Sequence, residues 1–202
     1  NVDIALTTNG ATLRLHAAAL AKAGLKRINI SLDSLRRDRF LELTRRDELD
    51  RVMDGIDSAL SAGLNPVKIN VVMMRGINDD EIVDFARFGR EKGVTVRFIE
   101  FMDVGETNSW QDQEVITGQM MRSMLDNLVK IEPKYVGEVA NRYQRGKQEI
   151  GFIESVSKPF CGDCNRARLS ADGSLYTCLF ASKGNDLKGI IRMDATRKQI
   201  AN

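Results

Sequence analysis

Short apolar segments alternate with helical patterns through the first half of the chain, and this alternation constrains the fold more than any other feature. The predicted strands are Ile4–Thr8, Arg27–Leu32, Val67–Met73 and Val94–Met102. The predicted helices are Leu13–Ala23, Leu49–Ala62 and Asp79–Lys92, with a shorter one near Leu35–Leu43. Strands that alternate with helices form parallel sheets with right-handed crossovers. The sequence therefore predicts an α/β fold over residues 1–103.

The pattern changes after Met102. We expect a polar loop over residues 103–116, a helix over Thr117–Val129 and strand-like pieces that include Glu149–Ser155. The cysteine-bearing segment follows, and a short helical tail begins near Leu187. These features predict a smaller α+β domain over residues 104–202, packed on the first.

The charge balance and hydropathy exclude several classes of protein. The net charge is +2, from 30 basic and 28 acidic residues, which is too even for general nucleic-acid binding. No apolar run reaches the roughly 18 to 20 residues of a membrane span, and no signal peptide is visible. The chain starts at Asn1 without a methionine and leads directly into a strand, so we expect it to be a piece of a longer protein.

Polar residues cluster where the predicted strands end. They are Thr7, Thr8, Asn9, Ser31, Asp33 and Glu100, while Lys68, Asn70 and Arg97 lie within strands. In α/β barrels and open sheets, ligands bind at the carboxyl ends of the strands, and a charge buried in a strand needs a partner or a ligand. The alternative is that these residues only cap helices and form turns.

Three cysteines, Cys161, Cys164 and Cys178, are candidate ligands of one metal centre. An odd count argues against a disulfide framework and suits a reducing compartment. The C-x-x-C spacing of the first two can direct both thiolates at one metal. The third returns after a predicted hairpin with Ala171-Asp172-Gly173 at its turn.

The identity of the metal stays open at this level. A structural zinc site needs four protein ligands, and the single histidine, His16, lies far away and is best interpreted as a surface residue. A four-iron cluster on three thiolates would leave one iron open for a substrate atom. Zinc completed by water or Asp163 is an alternative, and so are three unrelated cysteines.

Two arginines follow the C-x-x-C motif. If this stretch is extended, Arg166 and Arg168 project to one side. Guanidinium groups beside a metal centre suit a phosphate-bearing substrate, because their donors match phosphate oxygens. The alternative is a solvated basic face.

Five motifs in this order resemble the family of molybdenum cofactor biosynthesis protein A, the GTP 3′,8-cyclases. They are Thr7-Thr8-Asn9-Gly10, Asn29-Ile30-Ser31-Leu32-Asp33-Ser34, Val67-Lys68-Ile69-Asn70-Val71, Arg97-Phe98-Ile99-Glu100-Phe101-Met102 and Phe160-Cys161-Gly162-Asp163-Cys164-Asn165-Arg166-Ala167-Arg168-Leu169. The resemblance covers essentially the whole chain, and the five motifs together are very specific.

The resemblance implies a radical S-adenosylmethionine (SAM) enzyme with two four-iron clusters. Its fold would be an incomplete six-unit (β/α) barrel, of which about four units are present, with a smaller C-terminal domain that binds a cluster and GTP. The N-terminal cluster of such enzymes cleaves SAM, and the resulting radical converts GTP to (8S)-3′,8-cyclo-7,8-dihydroguanosine 5′-triphosphate. The second cluster binds the guanine of GTP through its open iron.

The resemblance also implies roles for individual residues. Cys161, Cys164 and Cys178 would hold the C-terminal [4Fe-4S] cluster. Lys68, Arg166 and Arg168 would contact GTP, and Thr7, Ser31 and Met102 would line the SAM site with Arg97 beside it. The partners implied are a second copy in a homodimer and cyclic pyranopterin monophosphate synthase, which receives the product. The implied compartment is the bacterial cytoplasm, or the mitochondrial matrix for a eukaryotic parent, with no nucleic acid or membrane involved.

The sequence departs from the family pattern at both ends. No C-x-x-x-C-x-x-C motif occurs in the 202 residues, so the SAM-cleaving cluster would lie before Asn1, and the C-terminal Gly-Gly is also missing. We therefore expect this chain alone to be inactive and its first strand to be an exposed edge. Two other interpretations are a zinc-stabilised α/β binding module without redox chemistry and a radical enzyme that acts on peptides.

Overall fold

The structure is a computed structural model that describes residues 2–104 and 110–193. The chain divides into two compact units, the first formed by residues 1–102 and 110–159 and the second by residues 103–109 and 160–202. The predicted loop at 103–116 lies partly outside the described residues, as does any continuation of the predicted helical tail beyond residue 193.

The first unit opens with the predicted alternation of strands and helices. The strands are β1 (Ala5–Thr8), β2 (Arg27–Ser31), β3 (Val67–Met73) and β4 (Thr95–Glu100), all paired in parallel. The helices are α1 (Leu13–Lys22), α2 (Arg37–Thr44), α3 (Leu49–Ser61) and α4 (Ile82–Lys92), with a 3₁₀ turn at Asp79–Glu81 before α4. The predicted α/β fold is confirmed.

The sheet continues beyond the predicted parallel strands. It gains β5 (Val129–Ile131), β6 (Asn141–Arg145) and β7 (Gln148–Ile153), in the order β1-β2-β3-β4-β7-β6-β5. Strand β7 pairs in parallel with β4, and β6 and β5 follow in antiparallel pairs. The sheet thus groups residues 110–159 with residues 1–102, whereas the domain boundary after residue 103 stays a prediction from the sequence.

The helix predicted at Thr117–Val129 is much shorter. Helix α5 spans Gly118–Ser123, and the hydroxyl of Thr117 caps it by accepting a hydrogen bond from the Met120 amide. Asn127 then adopts a left-handed conformation with φ of 58°, which breaks the helical path before β5 begins.

One face of the sheet forms the core with the helices. Alternate residues of β2, β3 and β4 are buried, among them Ile30, Ile69 and Phe98, and their neighbours in sequence lie on the opposite, half-exposed face. Phe98 packs edge-on against Phe85 of α4, with ring centroids 6.5 Å apart. This period of two leaves the second face available for polar side chains.

A buried carboxylate ties three segments of the first unit together. Glu100, at the end of β4, is fully buried. Its two oxygens accept hydrogen bonds from the amides of Gly118 at 2.7 Å, Val156 at 2.8 Å and Ser157 at 2.7 Å. The sequence placed Glu100 among possible ligand-binding residues, but in the structure it holds the first residue of α5 and the segment that follows β7.

The second unit is a small sheet with one short helix. Strands β8 (Arg168–Leu169), β9 (Ser174–Tyr176) and β10 (Asn185–Asp186) pair antiparallel in the order β10-β9-β8, and α6 (Leu187–Arg192) follows. Gly173, with φ of 92°, lies in the β8–β9 turn, so the predicted hairpin is confirmed. In the described part of both units, no helix combines the length and apolar character needed to cross a membrane.

Candidate functional site

The half-exposed face of the first unit's sheet carries two rows of polar side chains. Strand register aligns Thr7 of β1 with Asn29 of β2 and Lys68 of β3. The next row aligns Ser31, Asn70 and Arg97, which are the corresponding residues of β2, β3 and β4. Parallel pairing therefore brings together predicted site residues that are far apart in sequence.

Hydrogen bonds connect these rows into one network. The Nε of Arg97 donates to the Asn70 amide oxygen at 2.9 Å, and its NH2 donates to the Asn29 amide oxygen at 2.7 Å. The Asn29 amide nitrogen donates to the Thr7 hydroxyl at 3.0 Å. The network spans β1 to β4 and fixes the position of the guanidinium.

Two cations of this face lack an acidic partner in the part of the chain that the structure describes. Among the described residues, neither Lys68 nor Arg97 has a carboxylate within 4.0 Å. Burial lowers the pKa of both groups, and the Arg97 guanidinium lowers the pKa of Lys68 further. Half-buried cations without counter-charges favour the binding of an anionic group.

The adjoining strands carry a cation that is already neutralised. The NH2 of Arg142 on β6 lies 2.7 Å from Glu149 of β7, and Lys134 lies 3.4 Å from the same carboxylate. The hydrogen bond from Arg142 lowers the pKa of Glu149, so this carboxylate stays ionised. Lys68 and Arg97 differ from Arg142 in that neither has a carboxylate partner within residues 2–104 and 110–193.

The other predicted residues of this face lie at strand ends. Thr7 and Ser31 are exposed, and Met102 is half-buried just beyond β4. Asn9 and Asp33 have local structural roles: Asn9 accepts a hydrogen bond from the Ala11 amide at 3.2 Å, and Asp33 accepts one from the Val72 amide at 2.8 Å. For these two, the capping and turn interpretation accounts for the contacts that the structure shows.

The three cysteines lie in the second unit. Cys161 begins a 3₁₀ turn, and the Cys164 amide donates to the Cys161 carbonyl at 3.2 Å. Cys178 follows strand β9, and its sulfur accepts a hydrogen bond from the Phe180 amide at 3.4 Å. All three thiols are exposed, so each can be reached by a metal ion or a cluster.

The donor chemistry of these cysteines fits a metal centre bound through thiolates. Hydrogen bonds from the backbone and then from the guanidinium of Arg166 lower the pKa of the Cys164 thiol, and the thiolate is the form that binds metals. Within residues 2–104 and 110–193, however, no three His, Cys, Asp or Glu side chains are gathered closely enough to hold a metal ion. The thiols are accessible ligands whose convergence the structure does not show.

The two arginines after the cysteine pair alternate as the sequence predicts. Arg166 and Arg168 are half-buried, and the residues between and beside them are exposed. The Nε of Arg166 donates to the Cys164 sulfur at 3.3 Å, and its guanidinium carbon lies 5.0 Å from the centre of the Phe160 ring. The NH1 of Arg168 is buried and has no hydrogen-bond partner among the described residues. An orphaned guanidinium donor is a candidate contact for an anion.

Sequence reasoning did not assign a role to Asn29 or Gly151. Gly151 lies opposite Arg97, where a Cβ would come within 3.0 Å of the Arg97 Cγ. The motif around Ser31 contains Asn29, and its spacing of two residues places both on one face, so the alternation could have identified it. No sequence pattern links Gly151 to Arg97, because the pairing of β4 with β7 was not foreseen.

Two family models match this chain. Residues 1–89 match the radical SAM superfamily, and residues 94–202 match the family described as Molybdenum Cofactor Synthesis C. Together with the parallel sheet, the first match defines an α/β protein with a partial barrel of the radical SAM type. The second match covers more than half of the sequence, and the chain belongs to the molybdenum cofactor synthesis C family.

Several similar proteins are described as "GTP 3′,8-cyclase". The one from Xanthomonas campestris pv. campestris (strain B100) is 48% identical over 192 residues, which are 92% of this chain and 57% of that protein. Those from Acidothermus cellulolyticus and Staphylococcus epidermidis are 46% and 45% identical, and the matches cover 94% and 96% of this chain. The chain spans 54% and 59% of these two relatives.

A solved structure, a radical SAM methyltransferase from Sphaerobacter thermophilus, matches with a TM-score of 0.48 and 17% identity. The match covers 59% of this chain and 35% of that one.

Proposed function

We propose that this chain is part of a GTP 3′,8-cyclase of molybdenum cofactor biosynthesis, a lyase that uses SAM-dependent radical chemistry on GTP. The observation that carries the proposal is the 48% identity over 92% of the chain to a protein of that name. A match of this extent includes most of the polar sheet face and of the second unit, which carries Cys161, Cys164 and Cys178 and is here called the cysteine unit. The accessible thiols and unpaired cations supply ligands suited to a cluster and to anionic substrates.

The sheet face would bind the polar groups of GTP and SAM. In this proposal Lys68 contacts GTP, and Thr7, Ser31, Met102 and Arg97 form part of the SAM site. The missing counter-ions of Lys68 and Arg97 support the assignment, because the phosphates of GTP and the carboxylate of SAM would each supply the negative charge.

The cysteine unit would hold the [4Fe-4S] cluster and part of GTP. Cys161, Cys164 and Cys178 are the proposed ligands, and Arg166 and Arg168 the proposed GTP contacts. A cluster held by three thiolates supplies one iron with an open position for a substrate atom. The lowered pKa of the Cys164 thiol favours its binding form, and the orphaned NH1 of Arg168 is a donor suited to a phosphate oxygen.

The complete parent would supply what these 202 residues do not contain. All three cysteines of the chain are assigned to one cluster, so the ligands of the SAM-cleaving cluster would lie elsewhere in the parent.

We further propose a homodimeric parent in the bacterial cytoplasm, or in the mitochondrial matrix if the source is eukaryotic. This parent would pass its product to cyclic pyranopterin monophosphate synthase. Sedimentation of the parent protein tests the dimer.

Anaerobic reconstitution with iron and sulfide tests the cluster. The expected product is a brown protein with about four iron and four sulfide ions per chain. Replacement of Cys161, Cys164 or Cys178 by serine should reduce the bound iron. One bound zinc without iron or colour would instead support the zinc-stabilised binding module.

GTP titration of the reconstituted chain tests the substrate. Binding should require the cluster and should weaken in Arg168→Lys, because lysine lacks the bidentate fork of arginine. Arg192→Lys is the matched control, since Arg192 is exposed on α6 of the same unit. Equal GTP affinity with and without the cluster would contradict the proposed role of the cysteine unit.

A further inference from the structure

Arg97 and Arg142 are two arginines of one register row with different partners. Gly151 of β7 lies between them, opposite Arg97 on one side and opposite Arg142 on the other. The Arg142 guanidinium binds the carboxylate of Glu149 at 2.7 Å. The Arg97 guanidinium binds only the amide oxygens of Asn70 and Asn29 among the described residues.

The chemical difference between these partners determines what each arginine can do. A carboxylate satisfies the guanidinium donors and also cancels the charge. An amide oxygen accepts the hydrogen bond but leaves the positive charge in place. Two of the five N–H donors of Arg97 are held in this way, so the group is fixed in position. No described residue neutralises its charge or accepts a hydrogen bond from its remaining donors.

The surroundings of Arg97 reinforce this arrangement. The Asn29 amide is itself held by the Thr7 hydroxyl at 3.0 Å, so its oxygen is directed at Arg97. The missing side chain of Gly151 leaves room for the arginine stem, because a Cβ there would lie 3.0 Å from Cγ and 3.5 Å from Cδ of Arg97. A real Cβ contact is seldom this short, so a larger residue would displace the stem.

We propose that Asn29 and Asn70 are positioning residues, which hold the Arg97 guanidinium without neutralising it so that it binds an anionic oxygen group of the ligand. Gly151 is the third member of this set, because it provides the space that the stem occupies. The inference rests on the proposed function only in naming the sources of that group, the carboxylate of SAM or the phosphates of GTP.

The Asn→Asp variants test the proposal most sharply. Asn70→Asp and Asn29→Asp keep the acceptor oxygen but turn the amide into a carboxylate, so Arg97 gains an ion pair and loses its free charge. We expect the melting temperature to hold or rise while ligand affinity falls about tenfold, or about 1.4 kcal/mol. If the asparagines had a merely structural role, the fall in affinity would be the same with and without Arg97, since it would come only from repulsion between the new carboxylate and the ligand. Asn127→Asp is the matched control, because Asn127 is exposed in the turn before β5.

Titration of the reconstituted chain with GTP and with SAM, in separate arms, identifies which ligand supplies the anionic group. The same variants are combined with Arg97→Gln in a double-mutant cycle. If the asparagines act through Arg97, Asn70→Asp has a smaller effect on affinity once the guanidinium is gone, because only the repulsion between the new carboxylate and the anionic ligand remains. If Asn70→Asp lowers the affinity by the same factor in the wild-type chain and in Arg97→Gln, the proposal is overturned.

Nitrogen-15 NMR of the arginine side chains gives a reading that needs no ligand. The Arg97 Nε–H should exchange slowly with solvent, and Asn70→Leu should speed its exchange. If the exchange rate does not respond to Asn70→Leu, Asn70 does not hold the guanidinium and the inference is overturned.

The two possible failures are distinguishable. If wild-type chain binds GTP or SAM and Arg97→Gln loses that binding, while the Asn→Asp variants keep it, only the positioning inference fails. If wild-type chain binds neither ligand although the NMR data show a held guanidinium, the proposed ligands are wrong and the ligand-binding part of the inference falls with them.

Discussion

Replacement of Glu100 by alanine should destabilise the first unit more than any surface change of similar size. The carboxylate is fully buried and accepts hydrogen bonds from the amides of Gly118, Val156 and Ser157. A hydroxyl bond from Ser157 completes the set. In Glu100→Ala these donors lose their acceptor; the bond from Gly118 is buried, and those from Val156 and Ser157 are partly buried.

The magnitude follows from the number of orphaned donors. A buried donor left without a partner costs about 1–3 kcal/mol, so three backbone amides set an upper range of about 3–9 kcal/mol. The amides of Val156 and Ser157 are only partly buried and contribute less than this range allows. Local rearrangement lets water reach part of the site, and we therefore expect about 4 kcal/mol. For a chain of this size each kcal/mol lowers the melting temperature by about 2–4 °C, which gives a fall of roughly 8–16 °C.

Urea unfolding followed by tryptophan fluorescence measures this change. Trp110 is the single tryptophan of the chain and belongs to the first unit, where its Nε1 donates to the Phe101 carbonyl at 3.0 Å. Glu91→Ala is the control, because Glu91 is exposed on α4 and should change stability by less than about 0.5 kcal/mol. A loss below about 1 kcal/mol for Glu100→Ala would refute the reasoning that orphaned amides dominate the cost.

Three further predictions concern binding, packing and chemistry. Because burial lowers the pKa of Lys68, its charge is lost at a lower pH than that of an ordinary lysine. GTP affinity should therefore decline at a lower pH than the titration of an ordinary lysine would give, and Lys68→Arg should abolish that decline in a binding titration over pH. Phe98→Ala should lower the free energy of unfolding by about 3–5 kcal/mol, because Phe98 is fully buried between Phe85 and Phe152, and urea unfolding checks it against Val83→Ala at an exposed position. The reconstituted chain should form no 5′-deoxyadenosine from SAM, since all three of its cysteines are assigned to one cluster, and chromatographic detection of that product above a chain-free blank would contradict the assignment.

The alternation of apolar strands with helices was enough to predict the parallel part of the fold. Strand β3 is the clearest example, since its predicted bounds, Val67–Met73, are those of the structure. The helix ends were also predictable where a glycine follows, as at Gly93, which ends α4 in a left-handed conformation with φ of 70°. These features depend on the residue types within a few positions along the chain, so the sequence alone is enough to predict them.

The return of the chain to the sheet could not be predicted in the same way. Strand β7 pairs with β4 although about fifty residues separate them. The local pattern of Gln148–Ile153 does not indicate which strand it will pair with. This pairing places Gly151 opposite Arg97. A hydrogen bond between residues far apart in sequence likewise joins Arg97 to Asn29. Individual site residues were therefore predictable from alternation, whereas their partners depend on tertiary pairing.

The amide partners of Arg97 also make its site sensitive to hydrolysis of asparagine side chains. Asparagine is a thermally labile residue, and hydrolysis of its side-chain amide leaves a carboxylate in the same place. At Asn29 or Asn70 this change would neutralise Arg97 without unfolding the sheet. A sample in which either amide has been hydrolysed should therefore lose anion binding while it stays folded, and its peptide masses should show which amide was lost.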